Sequence, residues 1–343
     1  MPATLAFFGK RKNISSNKFP AIDPLWFITI LVLTLLIGLR FEVGGDWHSY
    51  IELFEKDQMK SLFYFGADPG YVLLNKISGF FGLGIYGVNF LAGFIFSIGL
   101  SIFCNNLPRP LLALTVSIPY LVIVVSMGYS RQALALGIAM IALVAISKQK
   151  NFWFIFLILT ATTVHKSAFV LLPIVGLASS RSKLLILFWT SLLGLLAYFL
   201  FLAASFETLI RNYIESEYES QGAFIRLAML VLPAAIYLLW PHRFNLPDKE
   251  RKIWKIFALL SLGFFLILPY SGASTAIDRL ALYLLPLQLV IFSYLPDIFG
   301  KRGGLNQILT GLVIFYYALV LFIWLNFATH SKYWLPYLNL ILM

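Results

Sequence analysis

The chain has 343 residues, of which 60% are hydrophobic and only 12% are charged, and its formal net charge is +11. Soluble domains average about 25% charged residues, so this composition excludes an ordinary globular protein and indicates a helical membrane protein. In a membrane protein the basic excess marks cytoplasmic loops and does not imply a nucleic-acid partner. Cys104 is the only cysteine, which excludes an internal disulfide.

Apolar stretches near bilayer length recur along the chain, and each predicts a helix, because a spanning segment must satisfy its own backbone hydrogen bonds. The apolar runs are continuous, which excludes the alternating pattern of a porin-like barrel. Proline, glycine and charge clusters separate eleven segments. They are 24–39, 85–104, 110–126, 132–147, 151–164, 167–178, 184–206, 223–240, 253–270, 277–296 and 306–328. We expect an all-α, polytopic transmembrane bundle that forms one integral membrane domain, residues 1–343.

The charge distribution predicts the orientation of this bundle. The basic tail of residues 1–23 precedes the first apolar run with no small-x-small cleavage site, so we expect an uncleaved first helix and a cytoplasmic N-terminus. Segments 151–164 and 167–178 are short for a span of about 20 residues. Merging them would place the basic stretch 241–252 outside, against the positive-inside bias. We therefore expect the chain to turn back near His165, as two short helices or a re-entrant pair.

Two predicted outer regions flank the bundle. Residues 40–84 form an outer loop, in which residues 50–65 indicate an amphipathic helix on the membrane surface or, equally, an ordinary helix over the bundle. Residues 70–81 are too short and too glycine-broken to span, which favours a re-entrant helix. Residues 329–343 form an outer C-terminal tail.

Ionisable residues gather on this predicted outer side, whereas the cytoplasmic loops are short, basic and without an obvious site. Ionisable groups near bilayer depth are costly and usually functional. The outer set is Arg40, Asp46, His48, Arg131, His165, Lys166, Asp278, Arg279 and Lys332. We therefore expect an outward-facing site.

Two arginines of this set predict an anion-binding site. Arg131 follows Ser130 and Arg279 follows Thr275, and each preceding residue is a candidate helix cap. A cation in a first helical turn opposes the helix dipole at a cost of a few tenths to about 1 kcal/mol. Two such cations on one face indicate a bound phosphate, since guanidinium forks at helix N-termini suit phosphate oxygens. Alternatively, each arginine reaches lipid headgroups or pairs with a local acid.

The remaining candidates each have a structural alternative. Asp46 follows two glycines and is either a base aimed into a pocket or the N-cap of the next helix. His165 is either catalytic or structural, and Lys166 is either a ligand or interfacial. Asp278 has capping-box spacing from Thr275 and is also placed to pair with Arg279, which favours a structural role over catalysis. Arg226, near the outer end of its segment, either snorkels or lines a cavity.

Several catalytic and binding motifs are absent from the sequence. It contains no Walker A loop, no HExxH, no G-x-S-x-G and no metal-spaced cysteine and histidine cluster. We therefore expect no cofactor and no metal.

Five motifs, in order along the chain, resemble the EpsG family: LRFEVGGDWHSY, MGYSRQALALGIAM, TVHKSAFVLLP, IDRLALYLLP and YWLPYLNLI. That family is grouped with Wzy-type polysaccharide polymerases in the GT-C glycosyltransferase superfamily. The resemblance implies a GT-C-like fold and the assembly of bacterial surface polysaccharide, such as O-antigen or capsule. It implies polyprenyl-pyrophosphate-linked oligosaccharide as donor and acceptor, at the outer face of the bacterial cytoplasmic membrane. A chain-length regulator is a candidate partner besides membrane lipid.

The resemblance also implies roles for individual residues. Asp46 corresponds to the family's Gly-x-Asp element and His165 to its histidine, and His48 stands near the position where the family often has tyrosine. The expected bases are thus Asp46, His48 and His165. The expected pyrophosphate ligands are Arg40, Arg131, which matches the family's Arg-Gln pair, and Arg279. Other expected substrate-binding residues are Trp47, Lys166, Arg226, Asp278 and Tyr283, the last two from the late Asp-Arg and Tyr motif.

Other functions remain open at this point. An O-antigen-type ligase or a single-addition glycosyltransferase would share the arginines and the outward site. A lipid-linked oligosaccharide flippase would need charge along a route through the bundle, but the inner halves of the segments are nearly uncharged. An outward acyltransferase would need a histidine deep in the bundle.

Overall fold

The computed structural model describes residues 2–9, 11–12, 19–20, 23–61, 68–179, 182–198, 222–271, 274–300 and 306–343. Within these ranges every regular element is a helix, and the single β contact is an isolated bridge between Arg40 and Asn339. The predicted all-α fold is therefore confirmed.

The described α-helices are numbered in chain order. They are α1 (Pro2–Phe8), α2 (Pro24–Gly38), α3 (Trp47–Gln58), α4 (Pro69–Phe80), α5 (Gly84–Asn105), α6 (Pro110–Ser117), α7 (Ser130–Ser147), α8 (Asn151–Val164), α9 (Leu171–Ser179), α10 (Lys183–Tyr198), α11 (Ala223–Leu239), α12 (Asp248–Ile267), α13 (Ser274–Ala281), α14 (Pro286–Ile298) and α15 (Gln307–Phe327). A π-helix, Ile118–Ser126, continues α6, and short 3₁₀ turns include Lys166–Val170, Leu268–Tyr270 and Leu282–Leu284.

Each predicted apolar segment coincides with one or two of these helices, whereas α1, α3 and α4 lie outside the predicted segments. The match includes both short helices around His165, and only residues 199–206 of segment 184–206 lie outside the described residues. By length and apolarity, four described helices could cross a membrane: α5, α7, α12 with its 3₁₀ extension, and α15. A fifth is the pair Ser274–Leu284 and Pro286–Ile298, which is bent by 41°. The other apolar helices are shorter, so eleven spans and their orientation remain predictions.

The chain divides into two compact units, residues 1–166 with 292–343, and residues 167–291. In the first unit α5 packs against α2 and α7, and α7 packs against α8. A methyl group added at Gly137 would lie 2.6 Å from the Phe96 Cα, so α5 and α7 meet backbone to backbone. Small residues allow such contact between apolar helices. In the second unit α11 packs against α12 and α13.

The predicted outer loop contains two short helices. The stretch 50–65 corresponds to α3, although residues 62–65 lie outside the described residues, and the stretch 70–81 corresponds to α4. Both helices belong to the first unit and pack against each other and against α5.

The C-terminal tail pairs with the beginning of this loop. The Phe41 N–H donates to the Leu338 carbonyl at 3.0 Å, and the Gly44 N–H donates to the Tyr333 carbonyl at 2.8 Å. Gly44 has φ +109°, and a methyl group there would lie 2.5 Å from the Met127 carbonyl oxygen. Only glycine fits that position, because the conformation and the close backbone both exclude a side chain.

Candidate functional site

Arg40 is enclosed in the first unit and joins three parts of it. Its Nε donates to the Val43 carbonyl at 3.2 Å, and its Nη1 donates to the Ile37 carbonyl at 2.7 Å. Its Nη2 donates to Asn89 Oδ1 at 3.0 Å and to Ser130 Oγ at 2.7 Å. Ser130 Oγ donates in turn to Asn89, and α7 begins at Ser130 itself, so Ser130 is not the predicted cap. Burial lowers the pKa of Arg40 to about 10, which leaves it cationic at neutral pH.

The start of α3 presents two candidate bases to the surface. Asp46 and His48 are exposed, whereas Trp47 between them is buried. Asp46 occupies the N-cap position, one of the two roles left open for it, but its side chain makes no capping hydrogen bond with the described first turn. The Trp47 ring lies 5.9 Å from the Arg40 guanidinium carbon and 6.1 Å from the Tyr86 ring. Trp47 therefore packs against Arg40 and Tyr86 in the interior of the first unit. The Asp46 carboxylate lies at the surface and does not cap α3.

Arg131 is the centre of a second group, which we call the Arg131 cluster: Arg131, Asp68, Tyr50 and Tyr71. Arg131 lies in the first turn of α7, as predicted, and its Nη1 lies 2.9 Å from Asp68 Oδ2. Its guanidinium carbon lies 5.8 Å from both tyrosine ring centres. The backbone N–H of Arg131 donates to Tyr50 Oη at 3.4 Å. The cluster therefore combines a cation, a helix N-terminus and two phenols.

Several polar atoms of this cluster are buried without a hydrogen-bond partner among the described residues: Asp68 Oδ1, Tyr71 Oη and Arg131 Nε. Buried polar atoms are normally paired, so these atoms have hydrogen-bonding capacity that a ligand can use. Burial raises the pKa of Tyr71 well above its ordinary value. Burial also raises the pKa of Tyr50, an effect that Arg131 opposes and Asp46 reinforces. Both phenols therefore remain protonated and can donate a hydrogen bond. The charges of Asp46 and Arg131 shift the pKa of Tyr50 in opposite directions.

His165 lies beside this cluster. It ends α8 in an extended conformation, as the predicted turn requires, and it is buried. Its Nε2 lies 3.4 Å from Nε2 of Gln132, the residue after Arg131. Lys166, the next residue, is exposed at the start of a 3₁₀ turn. In the first unit, α7 is thus linked to α3 through Arg131 and Tyr50, and to His165 through Gln132.

The second unit holds the remaining predicted site residues. Arg226 Nη1 and Asp278 Oδ2 form a buried ion pair at 2.6 Å, which joins α11 to α13. The sequence had not predicted this partner for Asp278. Arg279 is exposed and lies in the last turn of α13, not in the first turn, so the dipole argument for an anion does not apply to it. Tyr283 is buried in the 3₁₀ turn that follows.

Asp68 is the main site residue that sequence reasoning missed. It lay among scattered outer acidic residues, and only the fold brings it to Arg131. One local signal exists, because Asp68 precedes Pro69 at the start of α4, which is typical of a helix N-terminus. That signal predicts a cap, whereas the side chain pairs with Arg131 and makes no capping hydrogen bond within the described helix.

Comparison with known proteins gives one match. The model of the EpsG family matches residues 24–339, which include the Arg131 cluster, the first four motifs and all but the last two residues of the fifth. No curated protein matches the chain, and no solved structure matches it. The resemblance of the motifs is thus confirmed, and it extends over both units.

Proposed function

Because the chain belongs to the EpsG family, we propose that it is a Wzy-type polysaccharide polymerase that uses a polyprenyl-pyrophosphate-linked donor. Family membership and the apolar helices indicate a multi-pass membrane protein of polysaccharide biosynthesis with glycosyltransferase activity. The proposal adds the reaction partners and the side of the membrane. Glycan passes from the donor to a hydroxyl of a lipid-linked repeat unit, at the outer face of the bacterial cytoplasmic membrane.

The observation that carries this proposal is the Arg131 cluster. A diphosphate needs cations and hydrogen-bond donors that remain fixed while negative charge grows on the leaving oxygen. Arg131 supplies the guanidinium fork, α7 supplies its N-terminal dipole, and Tyr71 supplies a buried hydroxyl without a partner among the described residues. These groups support diphosphate binding without a metal.

We propose Asp46 as the base for the acceptor hydroxyl. The hydroxyl oxygen attacks the anomeric carbon of the donor, the bond to the diphosphate breaks, and the hydroxyl proton passes to the carboxylate. Diphosphate is a good leaving group, so the reaction needs no general acid. Asp46 is favoured because it is exposed and begins the first turn of α3, whose Tyr50 accepts a hydrogen bond from the Arg131 backbone N–H. His48 and His165 are the alternative bases.

The other predicted ligands differ in role in this proposal: some bind substrate, and others hold the protein structure in place. Arg279 and Lys166 are exposed cations, and each remains a proposed substrate-binding residue of its own unit. Arg40 has four donated hydrogen bonds within the protein, which supports a positioning role. The buried Arg226–Asp278 pair supports a bracing role for both residues. Trp47 and Tyr283 are buried, which favours packing over contact with sugar.

The decisive experiment uses purified protein and a defined lipid-linked repeat unit. A ladder of products supports the polymerase, a single added unit indicates a simple transferase, and transfer only to another acceptor indicates a ligase. No product, with movement of the lipid across liposomes, indicates a flippase and refutes the proposal. Arg131→Lys is the matched variant, because lysine keeps the charge but lacks the bidentate fork, and it should lose most of the ladder.

A further inference from the structure

The Arg131 cluster already contains an anion, the carboxylate of Asp68. The pair uses one oxygen and one nitrogen, Asp68 Oδ2 and Arg131 Nη1, at 2.9 Å. The second carboxylate oxygen and the arginine Nε are buried and have no hydrogen-bond partner among the described residues. A bidentate pair would satisfy more of these atoms. The observed pair therefore leaves capacity on the arginine that a better anion can use.

A third buried group points to an external ligand. Tyr71 is 1% exposed, its ring lies against the guanidinium, and its hydroxyl has no hydrogen-bond partner among the described residues. A phenol that stays protonated cannot bind the cation as an anion would, but it can donate to a phosphate oxygen. The Asp68 carboxylate pairs with the Arg131 guanidinium, and the Tyr71 hydroxyl remains a donor without a hydrogen-bond partner among the described residues.

Asp68 also has a second place for its charge. It is the N-cap residue of α4, a helix of 12 residues, and its side chain makes no cap there in the described structure. A carboxylate at a helix N-terminus is stabilised by the free N–H groups and by the dipole. Asp68 is left-handed here, with φ 53° and ψ 54°, and a change of its backbone to the extended conformation of a capping residue brings the carboxylate from Arg131 to these N–H groups.

From these three observations we propose that Asp68 is a displaceable counter-ion, which occupies Arg131 in the empty enzyme and gives way to the diphosphate of the lipid donor. The inference rests on the proposed function, since it needs a lipid diphosphate at Arg131. Asp68 acts through Arg131 and is a positioning residue. By returning to Arg131 after transfer, it helps to release the polyprenyl diphosphate that the reaction leaves behind.

The test measures binding of polyprenyl diphosphate to the full-length protein in phosphatidylcholine nanodiscs, which add no net anionic headgroup. Asp68→Asn should bind the probe about fivefold more tightly, which corresponds to about 1 kcal/mol, because the competing carboxylate is gone. In steady-state assays the KM for the donor and kcat should both fall, since the leaving diphosphate is retained. A merely structural role would raise KM or leave it unchanged.

Three further variants make the result specific. Glu52→Gln removes the same charge from an exposed side chain of α3 that pairs with Lys56, and it should change affinity less than twofold. In an Arg131→Gln background, Asp68→Asn should no longer tighten binding, because nothing remains to compete for. Asp68→Ser should reproduce Asp68→Asn. Both replacements are good N-caps, and asparagine tolerates the positive φ of Asp68, +53°.

The outcomes are distinguishable. If the wild type makes polymer and Asp68→Asn and Asp68→Ser bind polyprenyl diphosphate no more tightly, the counter-ion inference is overturned alone. If the tightening persists without Arg131, it is a general charge effect and the inference is equally overturned. If the wild type neither makes polymer nor binds polyprenyl diphosphate, the proposed function fails and the inference falls with it.

Discussion

Replacing Arg40 by lysine separates positioning from donor binding. The guanidinium donates four hydrogen bonds from three nitrogens, to Ile37, Val43, Asn89 and Ser130. A lysine ammonium has three donors at one point, so at least one buried acceptor loses its partner. Each buried acceptor left unpaired costs about 1–3 kcal/mol. We expect Arg40→Lys to lower the free energy of unfolding by about 2–4 kcal/mol, in the absence of any donor lipid.

The assay is thermal unfolding of the purified variant, together with binding of polyprenyl diphosphate. A lower melting temperature of the empty protein is expected, with donor affinity near that of the wild type at temperatures where the variant is folded. Arg243→Lys is the control, because Arg243 is exposed and the same exchange there should leave stability unchanged. An unchanged melting temperature with lost donor binding would show that Arg40 is a donor ligand and would refute the positioning argument.

Three other substitutions test separate parts of the structure. Asp46→Asn keeps the size of a side chain that makes no capping hydrogen bond and removes the proposed base, so polymer formation should fall about 10²–10⁴-fold at normal melting temperature, and near-normal product would move the base role to a histidine. Asp278→Asn leaves the buried Arg226 guanidinium without its carboxylate, so unfolding measurements should show a loss of about 3–5 kcal/mol, and a loss below 1 kcal/mol would contradict the buried pair. Gly137→Val places a side chain against the α5 backbone, so the folded yield in detergent should fall sharply, and a normal yield would mean that the two helices are not in backbone contact.

The helices were predictable because their signals are local. An apolar run bounded by charged and polar residues shows where a segment ends, as in the stretch around Lys148 and Lys150 that separates α7 from α8. The N-terminal turn of α7, with Arg131 in it, was predictable for the same reason. The number of membrane crossings was not predictable, because a short apolar helix has the same local sequence pattern whether it spans the membrane or is re-entrant.

The partners of the charged residues were not predictable, because each pair joins distant parts of the chain. Arg131 meets Asp68 and Arg226 meets Asp278 only after the helices have packed. Local reasoning assigned such residues to caps and neighbours. It also placed Arg279 in the first turn of a helix capped by Thr275. The helix α13 begins at Ser274, before Thr275, so Arg279 lies in its last turn, and the sequence alone does not show this start. Burial of Arg40 was likewise invisible, since an arginine after an apolar run is typical of the interface.

The pairing of the first outer loop with the tail has a consequence for how the protein is made. The Phe41 and Gly44 N–H groups donate to carbonyls of Leu338 and Tyr333, and the Leu340 N–H donates to the carbonyl of Leu39, at the end of α2 just before the loop. A ribosome synthesises the loop early and these partners near the end. Until the last helix has been inserted, the loop that carries Asp46 lacks the contacts that shape it. In a nascent chain the loop around Asp46, the proposed base, is therefore not yet held by its partners, and we expect activity only once residues 333–340 have been made.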